Sequence, residues 1–209
     1  MNKPELLAPA GNMETLILAI NSGADAVYVG GEAFSARAFA KNFDRKELLE
    51  AVKFCHLYGR KIYVAVNTVI FENEIERCLD YLKFLYEINV DAVIMQDIGM
   101  ISLTKKLIPN LEIHSSTQLN CHNEECLKLL KEIGVKRAVL AREMTIEEIK
   151  KIKTDIEIET FIHGALCVSY SGRCLFSSLN GGRSGNRGKC VGSCRLPYEL
   201  YKGNKKNGY

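Results

Sequence analysis

Short runs rich in valine, isoleucine and tyrosine alternate along the chain with longer segments whose apolar positions recur every three or four residues. The runs predict seven strands, at residues 5–9, 26–30, 61–67, 92–97, 112–116, 137–141 and 157–163. Helical periodicity fills residues 13–22, 45–58, 74–88, 124–133 and 146–152 between them. The end signals agree. Asp44 and Thr145 are placed to accept first-turn amide hydrogens, and Gly23, Gly59 and Gly134 follow helix ends where a left-handed backbone costs little.

Such alternation is the signature of linked βα units around a parallel sheet, which leaves an open doubly wound sheet or a (β/α) barrel. A TIM-like barrel is favoured, because Ala8-Pro-Ala-Gly-Asn12 after the first strand does not match the GxGxxG of a dinucleotide fold. Barrels of this kind run to about 250 residues with eight strands. Only seven strands can be read here, so the barrel is expected to be incomplete and the chain a fragment of a longer protein. Residues 1–165 read as the barrel domain and 166–209 as a cysteine-rich, glycine-rich basic segment.

With 209 residues, 47% of them hydrophobic and 25% charged, the chain has the makeup of a globular domain rather than a disordered one. No stretch approaches the roughly 18 apolar residues of a membrane span, and no leader is recognisable, so a cytoplasmic protein without membrane contact is expected. Net charge is +3, but Arg183, Arg187, Lys189, Arg195, Lys202, Lys205 and Lys206 against the single acid Glu199 give residues 178–209 a local net of +6. That asymmetry fits a surface for an anionic partner such as RNA, or a solvated basic face.

Four of the eight cysteines, Cys167, Cys174, Cys190 and Cys194, fall within 28 residues. Thiols so gathered in a reducing compartment point to metal ligation rather than disulfides. Six, fifteen and three residues separate successive members. Cys190 and Cys194 suit one zinc pair, whereas the wider interval before Cys174 fits a zinc site poorly and an iron-sulfur cluster better. Spacing alone leaves both open, with iron-sulfur favoured. The glycine-rich run 178–189 lacks the ending of a Walker loop and reads as a wrap around the metal group.

Polar residues at the carboxyl ends of the strands mark the ligand face of a parallel barrel. Arg37, Asn67, Gln118, Glu159 and His163 are the catalytic candidates, with Asn12, Glu32, Thr68, Gln96, Asp97, Ser115, Ser116, Arg142 and Glu143 at the same rim. Plainer roles compete with each. Asn12, Thr68 and Ser116 suit helix caps, and Glu32 with Arg37 or Arg142 beside Glu143 suit loop ion pairs. His114 suits a hydrogen-bonded core position, His56 and His122 suit helix surfaces, and Cys55, Cys78, Cys121 and Cys126 suit packed apolar sites on helices or their caps.

Glu159-Thr-Phe-Ile-His-Gly-Ala-Leu-Cys167 followed by Gly172-Arg-Cys174-Leu-Phe-Ser177 resembles the signature of the U32 peptidase family, the collagenase-like proteases. Leu7–Asn12, Gly23–Gly30, Phe34-Ser-Ala-Arg37 and Asn186–Arg195 extend the likeness over essentially the whole chain; Phe176 departs from it, being larger than the expected aliphatic residue. The resemblance implies either proteolysis or oxygen-independent hydroxylation, on tRNA wobble uridine, ribosomal RNA cytidine or a quinone precursor. It also implies a 4Fe-4S cluster, prephenate as oxygen source for the RNA-acting members, and the possibility of a second subunit of the same family. Cluster ligands carry over to Cys167, Cys174 and Cys190, with Cys194 or a later cysteine as the fourth. No HExxH, Gly-x-Ser-x-Gly or Cys/His protease pattern accompanies them, which favours RNA hydroxylation over the peptidase or a non-catalytic metal module.

Overall fold

The structure, a computed structural model, describes residues 3–36, 41–203 and 205–206. Seven strands, β1 Leu7–Ala10, β2 Ala26–Gly30, β3 Lys61–Val66, β4 Ala92–Met95, β5 Ile113–Ser115, β6 Arg137–Val139 and β7 Glu157–Glu159, form one sheet in sequence order. Every pairing is parallel. Between consecutive strands run α1 Met13–Asn21, α2 Arg45–Leu57, α3 Ile75–Glu87, α4 Ile98–Leu107, α5 Glu124–Glu132 and α6 Ile146–Lys151. The sheet curls into a partial barrel, so that Arg137 at the start of β6 reaches Glu5 just ahead of β1 at 2.6 Å.

Period-two alternation divides the apolar residues between two cores. Ile62, Val64 and Val66 of β3 join the large cluster beneath the helices, with Leu48, Leu82, Leu85, Ile101 and Leu127. Tyr63 faces the other way, onto a small inner cluster with Ala26, Ala92 and Ile94. The expected caps form: Asn12 and Asp44 each close a capping box, Thr145 does the same for α6, and Gly23, Gly59 and Gly134 take φ of +96°, +62° and +89°.

Three expectations change. Helix α4 was not foreseen, because Asp97 reads as a strand end and Gly99 interrupts the apolar period; Asp97 is instead the cap, accepting from Met100 N at 3.0 Å. β7 stops at Glu159, which leaves His163 in an exposed loop. After β7 come a short helix, α7 Phe176–Leu179, and a two-residue hairpin, β8 Tyr201–Lys202 with β9 Lys205–Lys206, neither visible in the hydrophobic pattern. Among the described residues no helix is long and apolar enough to cross a membrane.

Candidate functional site

Charged residues at the starts of the strands turn into the barrel and fill its lower end. Arg137 is the hub. Its Nη1 donates to Glu5 Oε1 at 2.6 Å, and its Nε and Nη2 reach Glu157 Oε2 at 3.0 and 2.9 Å. Tyr63 Oη also donates to Glu5 Oε1, at 2.8 Å, and Lys61 lies 3.3 Å from the second oxygen. Burial pushes the Glu5 carboxyl up, but the bonds from Arg137 and Tyr63 outweigh it and hold the group below the ordinary carboxylate range.

One step higher stand His114 and Glu159. His114 is fully buried, edge-on to Tyr63 at 4.7 Å, with Nε2 3.0 Å from Glu112 Oε1. If that nitrogen carries the proton, Nδ1 is left as an acceptor, and it is buried with no partner. Glu159 Oε2 is likewise buried without a hydrogen bond, 3.6 Å from Arg137 Nη1. Burial raises the Glu159 pKa above its ordinary value, and the nearby charges of His114 and Arg137 offset only part of the rise. Glu159 is therefore biased toward the neutral acid.

Seven buried side-chain nitrogen or oxygen atoms lack a partner among the described residues. Six belong to Thr68, His114, Ser115, Asn120, Arg142 and Glu159, all on β5, at the end of β7 or in the connections after β3, β5 and β6. Ser115 shares the helix-side face of Met95 and His114 the inner face of Ile94, so the six do not line one surface; those of Asn120, Arg142 and Glu159 lie in the connections and strand end where a parallel barrel binds its ligand.

The cysteine-rich segment lies over this end. Asn186 and Gln96 exchange amide hydrogen bonds at 3.1 and 3.3 Å, and Asn186 also accepts from Val69 N and donates to Gly172 O, both at 3.1 Å. Gln96 Nε2 donates in turn to Asn67 O at 2.6 Å, and Asn67 Oδ1 accepts from Ala36 N at 2.9 Å. Arg187 grips Glu74 with two bonds of 2.6 and 2.8 Å, donates to Val69 O, and stacks on Phe71 at 4.4 Å. The Arg187 hydrogen bonds hold the Glu74 carboxyl below its usual range. Asn120 donates to Ser171 O at 3.1 Å, and Arg142 donates to Ala165 O at 2.8 Å while stacking on Phe161. Gly172 is required where the segment passes Gln118: its φ is +74°, and a Cβ there would stand 3.1 Å from the Gln118 side chain.

All four clustered cysteines are free and exposed. Cys174 Sγ accepts from Phe176 N at 3.4 Å and Cys190 Sγ from Gly192 N at 3.3 Å, each an amide two residues on, and Ser177 Oγ donates to Cys190 Sγ at 3.7 Å. Among the described residues, no three His, Cys, Asp or Glu side chains already surround a common point in the manner of a single bound ion. The donor chemistry nevertheless fits a thiolate-ligated group, since amide hydrogen bonds to sulfur are what tune and stabilise such ligands.

The sequence candidates thus separate. Asn67 and Gln118 lie under the cysteine segment, and Glu159 turns into the barrel rather than onto the rim. His163 is exposed, and Arg37 lies outside the described residues. Arg142 does not pair with Glu143, which stands 3.7 Å from His122 instead; His122 sits in the β5–α5 connection, not on a helix. Thr68 caps nothing. Asn186, Glu74 and the lumen group of Glu5, Tyr63 and Arg137 were not foreseen. A signal existed: Glu5, Lys61, Glu112, Arg137 and Glu157 stand at or just before strand starts, with charges of both signs available for pairing at one end of a curled sheet.

The sequence profile of peptidase family U32 matches residues 11–209. The chain belongs to peptidase family U32. Among its curated U32 relatives, tRNA hydroxylation protein P1 of Bacillus subtilis (strain 168) is 46% identical over 202 residues, 96% of this chain and 48% of that protein. The 23S rRNA 5-hydroxycytidine C2501 synthase of Escherichia coli (strain K12) is 46% identical over 198 residues, 94% of this chain and 30% of that enzyme. A collagenase of Porphyromonas gingivalis (strain ATCC BAA-308 / W83) is 34% identical over 214 residues, 96% and 51% of the two chains. The chain thus spans between about a third and a half of these relatives' lengths. The solved U32 peptidase Mk0906 superposes with a TM-score of 0.64 at 14% identity over 77% of this chain and 69% of that one, which confirms the barrel fold.

Proposed function

We propose that this U32 protein takes part in oxygen-independent hydroxylation of an RNA base, with the reacting base at the carboxyl end of the barrel beneath the cysteine-rich segment. One observation carries the placement: the cysteine-rich segment is clasped over the strands' carboxyl ends through Gln96–Asn186 and Asn120–Ser171, with buried, partnerless atoms of Asn120, Arg142 and Glu159 in the connections and strand end beneath it. The tRNA- and rRNA-hydroxylating relatives, 46% identical over nearly the whole chain, support the reaction class.

In this reading Cys167, Cys174, Cys190 and Cys194 hold a 4Fe-4S cluster, which supplies one-electron redox chemistry when bound; zinc is the alternative occupant of the same thiolates. Phe176 N, Gly192 N and Ser177 Oγ keep hydrogen bonds on the sulfurs. Glu159, whose pKa burial raises, has a buried and partnerless Oε2 from which a proton can be given, and His114 Nδ1 is available to accept one. Gln118 and Asn67 line the approach and His163 stands at its edge. Exposed Arg173, Lys189 and Arg195 offer contacts to RNA phosphates, whereas Arg187 is committed to Glu74. Prephenate as oxygen source, Arg37 as a further catalytic residue and a second family subunit as partner belong to the same proposal.

The test is nucleoside mass spectrometry of tRNA and 23S rRNA from a strain lacking the gene, complemented with wild type or with Cys174→Ser/Cys190→Ser. A hydroxylated nucleoside lost on deletion, restored by wild type and not by the variant, is expected. Unchanged nucleosides, together with gelatin cleavage by purified protein that survives the double substitution, would instead favour the peptidase activity of the collagenase relative.

A further inference from the structure

The four clustered sulfurs differ in what they touch. Cys174 Sγ has one donor, Phe176 N, whereas Cys190 Sγ has two, Gly192 N at 3.3 Å and Ser177 Oγ at 3.7 Å. Among the described residues, Ser177 is the one side chain that donates to a clustered sulfur. Its surroundings leave the hydroxyl little choice. Ser177 stands in the first turn of α7 and is buried, at 4% exposure. A serine hydroxyl so placed ordinarily bonds the backbone of its own turn. Here Val191 N, 14 positions on, donates to Oγ at 3.4 Å, and the single hydroxyl proton goes to Cys190 Sγ. Backbone bonds hold the arrangement: Ser177 O accepts from Arg183 N at 3.1 Å, and Lys189 N, beside Cys190, donates to Ser184 O at 2.9 Å.

A neutral thiol is a weak acceptor, whereas a sulfur carrying negative charge takes a much stronger bond from the same hydroxyl. Buried polar groups need good partners. A buried hydroxyl whose only proton is aimed at a sulfur is therefore placed for a Cys190 that is ligated rather than protonated.

We propose that Ser177 is a positioning residue for Cys190 that raises the reduction potential of the group held by the four thiolates. The inference rests on the iron-sulfur reading of those thiols. Reduction adds one electron and breaks no bond of the protein. The added charge spreads onto the sulfurs, so a hydroxyl donating to one of them stabilises the reduced form more than the oxidised one. Gly192 N acts in the same direction, but a main-chain donor survives any change of side chain. The share of Ser177 can be removed by itself.

The full chain is purified anaerobically as wild type, Ser177→Ala and Ser177→Thr, and iron and sulfide are counted in each. Each protein is then titrated with dithionite, one electron per cluster, and followed by electron paramagnetic resonance. Ser177→Ala is expected to hold as much iron and sulfide as wild type and to be about tenfold harder to reduce, a midpoint about 59 mV more negative for a one-electron couple. Ser177→Thr, which keeps the hydroxyl, is expected to stay at the wild-type midpoint. Metal-free protein checks the contact itself: the Val191 amide is expected to exchange faster in Ser177→Ala and not in Ser177→Thr. An unshifted midpoint in Ser177→Ala at full iron content, or an equal shift in both variants, would overturn the role of the hydroxyl and leave the cluster in place. Wild-type protein without iron and sulfide would sink the cluster reading, and this inference with it.

Discussion

The lower end of the barrel and the cysteine-rich segment are built on opposite principles. Below, Glu5, Tyr63, Arg137 and Glu157 are bound to one another inside a sheet, each charge answered at 2.6 to 3.0 Å. Above, residues 160–201 leave large apolar side chains in solvent, with Ile162 87%, Val168 85% and Leu179 81% exposed, and the segment is held by a few polar clasps. Apolar side chains in that setting contribute little to holding the fold, so the clasps decide where the four thiols stand. The barrel carries the stability, and the segment lies over the strand carboxyl ends, the ligand face of a parallel barrel.

Breaking the lower network should have the largest effect. Arg137→Met leaves the part-buried carboxylates of Glu5 and Glu159 without their cation, and urea unfolding is expected to show a loss of about 3–5 kcal/mol. Cutting a clasp should be milder and local. Glu74→Ala removes the carboxylate from Arg187 and is expected to cost about 1–3 kcal/mol, with faster amide exchange over residues 165–195 and unchanged protection in β2 to β4. An equal rise in exchange across the barrel would erase the distinction between the two regions. Asn12→Ala removes the α1 cap and is expected to cost about 1 kcal/mol without altering exchange in the cysteine segment.

The seven strands were legible because β-branched runs and helical periods alternate cleanly. What the chain order concealed was contact at long separation. Gln96 meets Asn186 across 90 positions and Arg187 meets Glu74 across 113, and no local pattern announces either. Glu159 was singled out as a polar residue of the seventh strand at the ligand face, but its burial against Arg137 depends on β7 ending there and on the sheet curling, which periodicity does not reveal. His114 was read as a core residue, and so it is; its unpartnered Nδ1 becomes visible only once Glu112 is seen to occupy the other nitrogen.

The smallest stability effect tests the boundary between the two regions. The Glu159 pKa is raised in the folded state, so folding retains its proton over a range where the unfolded chain has lost it, and the cost of ionising the buried acid grows as pH rises through that range. Glu159→Gln carries no such cost. Its stability relative to wild type is expected to improve as pH rises above the ordinary carboxylate range. A constant difference across that range would mean that the carboxyl titrates normally.

The central claim is that the thiolates over the barrel mouth hold a redox cluster, and metal analysis of anaerobically purified protein tests it most directly. About four iron and four sulfide per chain are expected, with absorbance near about 400 nm that is lost in Cys174→Ser/Cys190→Ser. Colourless wild-type protein carrying stoichiometric zinc and no sulfide would contradict it.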